Sequence, residues 1–419
     1  MTTEVKKVPI PRRGVDYRGK VVLAPMVRSG ELPSRLLALH YGADLVWGPE
    51  TVDRSMIGTT RRYNPETKTI EWTRKPSQGG AKQQPPPTDV KDSVIYRVHP
   101  ELEGGKLIFQ IGTSNPALAV QAAKLVAGDV AGIDVNAGCP KPFSTHDGMG
   151  AALLRTPDKL CAILEALVRD VAPAFEIGIS VKIRLLATAA ETEALVRRLV
   201  ATGITALTVH CRTTPMRPRE PAIRGQLRMV ADVCREAGVA CVMNGDVEDR
   251  DQAARLMREF GVDGAMIATA AEKNPSCFRS GALAPWSEVA EQYLRYALQV
   301  QNKYGNTKYL LCHHVPGKSP MYKTIQPCKS YTKICEALGF DHLLGQAREV
   351  DLSLDIDPDN TGKSYKKASN NSALAAGGKM SESRTSTSQI RKDFSDRGVV
   401  SASASETQSR PVEATAIPT

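Results

Sequence analysis

The chain has few aromatic residues and no long apolar segment. Aromatic side chains make up 5% of the 419 residues, and no run approaches the roughly eighteen consecutive apolar residues that a membrane helix needs. The first twenty residues carry Lys and Arg but lack the apolar stretch of a secretory signal. We therefore expect neither membrane insertion nor secretion.

Paired cysteines and a dinucleotide fingerprint are also missing. The nine cysteines are odd in number, scattered and without a CxxC pair, which suits reduced thiols inside the cell better than disulfides or a zinc site. Cys312-His313-His314 has no second ligand cluster, so we assign no metal. No Rossmann GxGxxG motif is present, which argues against a tightly held NAD or FAD domain. We expect a cytoplasmic protein, with the nucleus or mitochondria as further compartments.

The net charge of +10 is concentrated in two stretches. From Arg295 to Lys333 the chain carries seven Lys and Arg residues and no acidic residue. Five arginines lie between Arg212 and Arg228, opposed only by Glu220. Fields of a single sign attract phosphate polymers, so a polyanionic substrate is expected. A solvated basic surface is the alternative for either stretch taken alone.

Short apolar runs alternate with helical patterns through the first two thirds of the chain. Runs that are apolar on both faces and alternate with helices indicate a parallel sheet, and eight is the number that closes a barrel. The predicted strands are Val21–Pro25, Ala43–Trp47, Leu107–Gly112, Gly132–Val135, Ile179–Arg184, Ala206–His210, Ala240–Asn244 and Gly264–Ala268. The fold class is therefore α/β, a (β/α)8 TIM barrel.

Three further segments flank or interrupt this barrel, which we assign to residues 20–283 after an N-terminal extension of residues 1–19. The polar insertion 61–105 predicts a small β excursion with a flexible loop. Residues 284–350 show no strand pattern and hold most of the basic residues, so we expect an all-helical domain. Residues 351–419 are rich in Ser, Thr, Ala, Gly and Lys, and we expect a disordered tail.

Polar or backbone-exposing residues stand at the end of nearly every predicted strand, which is where barrel enzymes gather their chemistry. A ring of amide, amine and imidazole groups suits a flat heterocycle with several carbonyls, and small-residue loops after strands seven and eight suit a phosphate. This description fits FMN. The strand-end residues are Pro25, Met26, Gln110, Asn136, Lys182, His210, Asn244, Gly245, Asp246, Ala268 and Thr269.

A lone cysteine, Cys139, follows the fourth predicted strand in the loop Asn136-Ala137-Gly138-Cys139-Pro140-Lys141-Pro142. Gly and Pro on either side fix the backbone and keep bulky neighbours away from the sulfur. A thiol presented in this way can exchange a proton with a bound ligand. The alternative is a small buried residue in a turn.

Several spaced motifs together resemble the tRNA-dihydrouridine synthases, over roughly Lys20 to Gln346. The loop from Cys139 to Thr145, with Asn274-Pro275-Ser276 and Tyr304 to Tyr309, is most similar to the eukaryotic branch that acts at D-loop position 20, in its fungal form without a double-stranded-RNA-binding domain. The motifs that carry the family resemblance are Leu23-Ala24-Pro25-Met26, the Cys139 loop with Gly148-Met149-Gly150, Lys182-Ile183-Arg184, Val209-His210-Cys211-Arg212 and Asn244-Gly245-Asp246.

The resemblance implies an oxidoreductase with tightly bound FMN and NADPH as a transient reductant, which reduces uridine to 5,6-dihydrouridine in tRNA. Cys139 would protonate uracil C5 while a hydride reaches C6. Many relatives carry Arg where Thr269 stands and Gly where Cys211 stands. FMN would be held by Pro25, Met26, Val27, Gln110, Lys182, His210, Asn244, Gly245, Asp246, Ala268 and Thr269, and the substrate by Asn136, Arg184, Arg212, Lys308 and Lys323.

Two alternatives remain open at this point. An FMN-dependent dehydrogenase of a free pyrimidine, similar to the enzymes of dihydroorotate, would share the barrel and the thiol but has no use for an acid-free basic domain. A non-catalytic RNA-binding protein on the same barrel would carry no flavin. For the enzyme we expect a monomer with tRNA as its partner.

Overall fold

The computed structural model describes residues 8–75, 92–217, 219–314 and 319–359. Twelve strands lie within these ranges. They are β1 (Lys20–Leu23), β2 (Leu45–Trp47), β3 (Thr51–Val52), β4 (Thr60–Asn64), β5 (Thr69–Arg74), β6 (Ser93–Val98), β7 (Leu107–Gly112), β8 (Gly132–Ala137), β9 (Gly178–Leu185), β10 (Ala206–Thr213), β11 (Ala240–Asn244) and β12 (Gly264–Ile267).

The helices of the same ranges fall between and after these strands. They are α1 (Leu32–His40), α2 (Asp53–Met56), α3 (Pro116–Val126), α4 (Pro142–Thr145), α5 (Pro157–Asp170), α6 (Ala172–Phe175), α7 (Ala189–Val200), α8 (Leu227–Ala237), α9 (Arg250–Phe260), α10 (Thr269–Lys273), α11 (Trp286–Gln299), α12 (Tyr304–His314), α13 (Pro320–Ile325), α14 (Tyr331–Leu338) and α15 (Leu344–Ser353). Three short 3₁₀ helices span Gly150–Arg155, Pro275–Phe278 and Asp341–Leu343.

Eight parallel strands close the predicted barrel. Following the pairing from β1 through β2, β7, β8, β9, β10, β11 and β12, the sheet returns to β1. All eight predicted strands are confirmed, with ends that differ by up to three residues. The short β3 adds to the end of β7 and lies outside the closed ring.

The helices begin where the sequence supplies caps. Asn115 accepts hydrogen bonds from the backbone N–H groups of Ala117 and Leu118 at the start of α3. Thr188 and Glu191 form a reciprocal capping box at the start of α7, which satisfies two backbone donors that the helix leaves unpaired. These caps fix the αβ units whose strands carry the site.

Two apolar layers hold the barrel together. Side chains from the strands pack against the surrounding helices, while Val22, Trp47, Ile108, Val242 and Met266 form a second cluster with all side chains buried. Tyr17, from the extension that precedes β1, belongs to this second cluster and is 1% exposed. The end of the N-terminal extension, next to β1, is thus part of the hydrophobic core.

The predicted polar insertion contains a separate antiparallel sheet, β4-β5-β6. This confirms the β excursion between strands two and three of the barrel. Its predicted flexible loop covers residues 76–91, which lie outside the described residues.

Helices α11 to α15 follow the barrel and pack against α1 and α10. The all-helical region is confirmed, but the tail boundary predicted at residue 351 is wrong, because α15 continues to Ser353. Asp351 is fully buried and its carboxylate accepts hydrogen bonds from the backbone N–H groups of Tyr331 and Thr332, at the start of α14. Residues 360–419, where disorder is predicted, lie outside the described residues. None of the helices in the described ranges is long and apolar enough to cross a membrane.

Candidate active site

A cavity of about 290 Å³ lies at the carboxyl ends of the barrel strands. Eight of the eleven predicted strand-end residues line it, together with the loop that carries the cysteine. The predicted residues that line it are Pro25, Met26, Val27, Gln110, Asn136, Cys139, Lys182, Arg184, His210, Asn244 and Ala268. Their individual roles stay predictions.

The loop after β8 is shaped by the side chain of Asn136. Its Oδ1 accepts hydrogen bonds from the backbone N–H of Gly138 at 2.9 Å and of Cys139 at 3.0 Å. The carbonyl of Cys139 in turn accepts from the N–H of Ala151 at 2.9 Å. Both flanks of Cys139 are therefore held, and the thiol reaches the cavity from a fixed backbone.

Gly150 allows this loop to close on itself. Its φ is +58°, and a Cβ there would lie 2.4 Å from Ser144 Oγ and 2.6 Å from the carbonyl oxygen of Cys139. No side chain fits in that space, so the glycine is a steric requirement of the cysteine loop.

The Cys139 thiol is held in its protonated form. Burial raises its pKa above the ordinary value and the nearby Glu50 raises it further, whereas a backbone hydrogen bond and the charge of Lys141 lower it. The net pKa is raised. At neutral pH the sulfur therefore carries a proton that it can donate.

Lys182 and Asn244 form a fixed polar pair in the cavity. Lys182 Nζ donates to Asn244 Oδ1 at 3.0 Å, and Asn244 Nδ2 donates to the carbonyl of Met266 at 2.9 Å. Burial lowers the pKa of Lys182 to about 8, and the positive charge of Arg184 adds to this shift. The amine can therefore release its proton near neutral pH more readily than an exposed lysine.

Gln110 is oriented by a buried carboxylate. Its Nε2 donates to Asp134 Oδ2 at 2.8 Å, and Ser180 Oγ donates to Asp134 Oδ1 at 2.7 Å. Because one N–H of the Gln110 amide is engaged by Asp134, its carbonyl oxygen and its second N–H are left for a ligand.

His210 is a neutral imidazole. Burial lowers its pKa to about 2, with Lys182, Arg184 and Arg212 acting in the same direction. Arg212 Nη1 lies 3.2 Å from His210 Nε2. A guanidinium can only donate, so Nε2 is the acceptor and Nδ1 carries the hydrogen.

Arg212 and Asp246 lie behind His210, outside the cavity lining. Arg212 is 5% exposed, and its guanidinium donates to Asp246 Oδ1 at 2.5 Å and to the carbonyl of Glu220 at 2.7 Å. Asp246 also accepts from the N–H of Ala222 at 2.7 Å. The two side chains thereby link the segments after β10 and β11. Neither Arg212, predicted to contact the substrate, nor Asp246, predicted to contact FMN, lines the cavity.

The other predicted residues outside the cavity are Gly245, Thr269, Lys308 and Lys323. Thr269 is the exposed first residue of α10, beside the lining residue Ala268. Lys308 Nζ donates to the carbonyl of Cys328 at 2.8 Å, within the helical region, while Lys323 is exposed on α13. Contacts of these residues with phosphate or RNA stay predictions.

The arginine-rich stretch is partly used inside the protein. Besides Arg212, Arg224 donates to the carbonyls of Gly245 and Asp246, and Arg228 donates to the carbonyl of Glu259. Arg217 and Arg219 are exposed. The number of arginines between residues 212 and 228 therefore overstates how much positive charge this segment presents to solvent.

Seven residues that line the cavity were not among the predicted site residues, and two of these, Glu50 and Glu272, lie outside every motif quoted above. The seven are Ala24, Glu50, Gly138, Pro140, Lys141, Phe143 and Glu272. Glu50 stands three residues after β2, the one barrel strand for which no polar end residue was proposed. The rule applied to the other strands would have found it.

A parallel barrel with a thiol, an amine and a neutral imidazole at its carboxyl rim defines a (β/α)8-barrel enzyme. The family model described as dihydrouridine synthase (Dus) matches residues 22–337. The chain therefore belongs to the dihydrouridine synthase family.

Two curated fungal proteins are similar over most of this chain. A tRNA-dihydrouridine(20) synthase [NAD(P)+] of Schizosaccharomyces pombe is 47% identical over 342 residues, which cover 80% of this chain and 68% of that protein. Its namesake in Saccharomyces cerevisiae is 47% identical over 75% of this chain and 82% of its own length. A tRNA-dihydrouridine(20a/20b) synthase of Saccharomyces cerevisiae is 26% identical over 72% of each chain.

Proposed function

We propose that this protein reduces uridine 20 in the D-loop of tRNA to 5,6-dihydrouridine, with FMN as its flavin and NAD(P)H as its reductant. Family membership and the similarity to two position-20 enzymes support this over a free-pyrimidine dehydrogenase or a non-catalytic barrel. The observation that carries the proposal is the protonated thiol of Cys139, which opens into the same cavity as Gln110, Lys182 and Asn244.

The donors and acceptors of the cavity fit FMN. An isoalloxazine ring carries two carbonyls, ring nitrogens and one N–H along its polar edge. Gln110 offers a carbonyl oxygen and Lys182 offers N–H donors beyond the one given to Asn244, so both would hold this edge. Pro25 and Met26, at the end of β1, would contact the ring, and the chain around Ala268 would receive the phosphate. When bound, FMN supplies hydride transfer.

The protein's own residues manage protons and charge. Cys139 donates its S–H proton to uracil C5, since its raised pKa keeps the sulfur protonated until negative charge develops at that carbon. Lys182 donates a hydrogen bond to negative charge that develops during reduction. Arg184 donates to the carbonyls of Gly138 and Thr213, at 2.8 and 2.9 Å, and so holds the cysteine loop against the end of β10.

Basic side chains of the helical region would hold the tRNA. Lys303, Lys323 and Lys329 are exposed there, and their charge suits phosphate contacts. The target uridine must leave its stack to reach a cavity at the barrel rim, which requires such a grip on the rest of the RNA. The expected monomeric state and cytoplasmic location stay predictions.

The test uses the purified protein and unmodified tRNA transcripts. The flavin released on denaturation is identified by mass spectrometry, and dihydrouridine is mapped by reverse transcription after incubation with NADPH or NADH. We expect FMN and dihydrouridine at position 20 only, and no product in a matched transcript with cytidine at that position. Product at another uridine, or reduction of free uracil or orotate instead of tRNA, would contradict the proposal.

A further inference from the structure

Glu50 is a buried carboxylate in the wall of the cavity, beside the cysteine loop. Its Oε1 accepts a hydrogen bond from Ser144 Oγ at 3.1 Å, whereas its buried Oε2 has no hydrogen-bond partner among the described residues. A Cβ on Gly112 would lie 2.6 Å from Glu50 Oε1, so the end of β7 leaves room for this carboxylate. An unpaired carboxylate oxygen in a buried position is costly, which points to a role at the site.

The carboxylate and the thiol influence each other's protonation. Burial raises the pKa of Glu50, and this effect outweighs the interactions with Ser144, with the Asn136 amide and with the Cys139 thiol, which lower the pKa. Conversely, the charge of Glu50 raises the pKa of Cys139. A charged Glu50 therefore favours the protonated form of Cys139.

The other charged groups that act on Cys139 are cationic. They are Lys141 on its own loop and Lys182 and Arg184 on β9. Cations beside a thiol favour its thiolate form, as in reactive cysteines, and so act against the effect of burial. The charge of Glu50 acts on the thiol in the opposite direction to these cations.

We propose that Glu50 is a positioning residue for Cys139, whose carboxylate adds to burial in keeping the thiol in the S–H form and favours its reprotonation after each turnover. The role of Glu50 in reprotonation during turnover rests on the proposed function. The effect of its charge on the pKa of the Cys139 thiol does not depend on that function.

The proton balance is simple. When the S–H bond breaks, the proton goes to uracil C5 and the electron pair stays on sulfur as a thiolate. That thiolate then stands beside the Glu50 carboxylate, and two like charges in a buried site repel each other. The sulfur regains a proton from solvent water, and the resulting hydroxide is neutralised by bulk buffer. Glu50 is unchanged at the end.

The experiment measures the pH dependence of alkylation at Cys139 in the full-length purified protein. Iodoacetamide is applied between pH 6 and pH 10.5, and the Cys139 peptide is followed by mass spectrometry, which separates it from the other cysteines. Glu50→Gln keeps the size and the Ser144 hydrogen bond but removes the charge. We expect the alkylation midpoint to fall by about one pH unit, which is about a tenfold gain in thiolate below the midpoint.

Two further variants sharpen the result. Glu50→Asp withdraws the charge from the thiol, so its midpoint should lie between those of the wild type and Glu50→Gln, and it decides the outcome if Glu50→Gln does not fold. Glu272→Gln removes another carboxylate of the same cavity lining, one bonded to Ser29, and should leave the midpoint unchanged.

An unchanged or raised midpoint in the Glu50 variants would overturn the inference. Because alkylation needs no tRNA, a shifted midpoint in a protein that fails to reduce tRNA would contradict the proposed function and leave the electrostatic role of Glu50 standing.

Discussion

Lys182 Nζ lies 3.0 Å from Asn244 Oδ1, across the strand that separates them. Lys182 is on β9 and Asn244 ends β11, while His210 of β10 is in register with Asn244. Since Asn244 Nδ2 is bound to the carbonyl of Met266, the amide cannot turn, and it presents its oxygen to the lysine. The Lys182 amine is thus positioned in the cavity by residues of the parallel strands, and no loop residue takes part in these hydrogen bonds.

The pH dependence of folding stability should reveal this buried amine. In the folded chain the pKa of Lys182 is lowered to about 8 from an ordinary 10.5. Below pH 8 the lysine is charged in both the folded and the unfolded state, and the cost of burying the charge is fully present. Above pH 8 the folded state loses the proton while the unfolded state keeps it, so the cost is relieved as pH rises.

We therefore predict a pH-dependent stability difference between the flavin-free wild type and Lys182→Met. From pH 7 to pH 9.5 the free energy of unfolding of the wild type should rise relative to the variant by about 2 kcal/mol. Urea denaturation at both pH values measures it, and other ionisations cancel in the difference. Lys124→Met, an exposed lysine on α3, should show no such trend. A flat difference for Lys182→Met would mean that the amine is not destabilised in its charged form.

The barrel could be predicted because its strands are apolar on both faces. Runs such as Ala240–Asn244 and Gly264–Ala268 have no amphipathic pattern, and this indicates strands covered on both sides. The convergence of the strand-end residues followed from the same geometry, because parallel strands end at one rim. Local sequence and barrel closure were therefore enough to assemble most of the cavity.

The pairing of polar residues far apart in the sequence could not be predicted in this way. From the sequence, Arg212 and Asp246 were each assigned to a ligand, but in the folded chain the Arg212 guanidinium donates a hydrogen bond to the Asp246 carboxylate. Asp351 stands in a polar segment, yet it caps α14 from twenty residues away. Such partners are brought together by the tertiary fold, so the pattern of charges along the sequence does not predict them.

The loop that presents Cys139 should depend on Gly150 more than on Gly148. Both have positive φ, +58° and +73°, so alanine costs about 1–2 kcal/mol of backbone strain at either position. At Gly150 the new Cβ would also collide with Ser144 Oγ and the Cys139 carbonyl, whereas at Gly148 the nearest atom is 3.7 Å away. We expect Gly150→Ala to lose clearly more stability than Gly148→Ala, together with most of the activity. Equal thermal midpoints and equal rates for the two variants would contradict this steric account.

The thiol proton should be separable from flavin binding. Cys139→Ala keeps the cavity wall but removes the acid, so the protein should stay yellow and lose activity about 10²–10⁴-fold. Cys139→Ser should be similarly slow, because a hydroxyl holds its proton much more tightly than a thiol. Absorbance of bound flavin and dihydrouridine formation in tRNA measure the two properties. Cys312→Ser, a partly exposed cysteine outside the cavity lining, is the matched control and should stay active. Substantial dihydrouridine formation by Cys139→Ala would remove Cys139 from its proposed role.

RNA binding should depend on lysines of the helical region that are not used inside the protein. Lys323 is exposed on α13, whereas Lys308 is bound to the carbonyl of Cys328. If Lys323 neutralises one phosphate, Lys323→Ala should lower the slope of log K against log salt by about one and weaken binding alike for tRNAs of different sequence. Filter binding of tRNA at several salt concentrations measures this slope. Lys124→Ala, on a helix of the barrel wall, should leave it unchanged, and an equal loss in both variants would point to general charge attraction instead of a defined contact at Lys323.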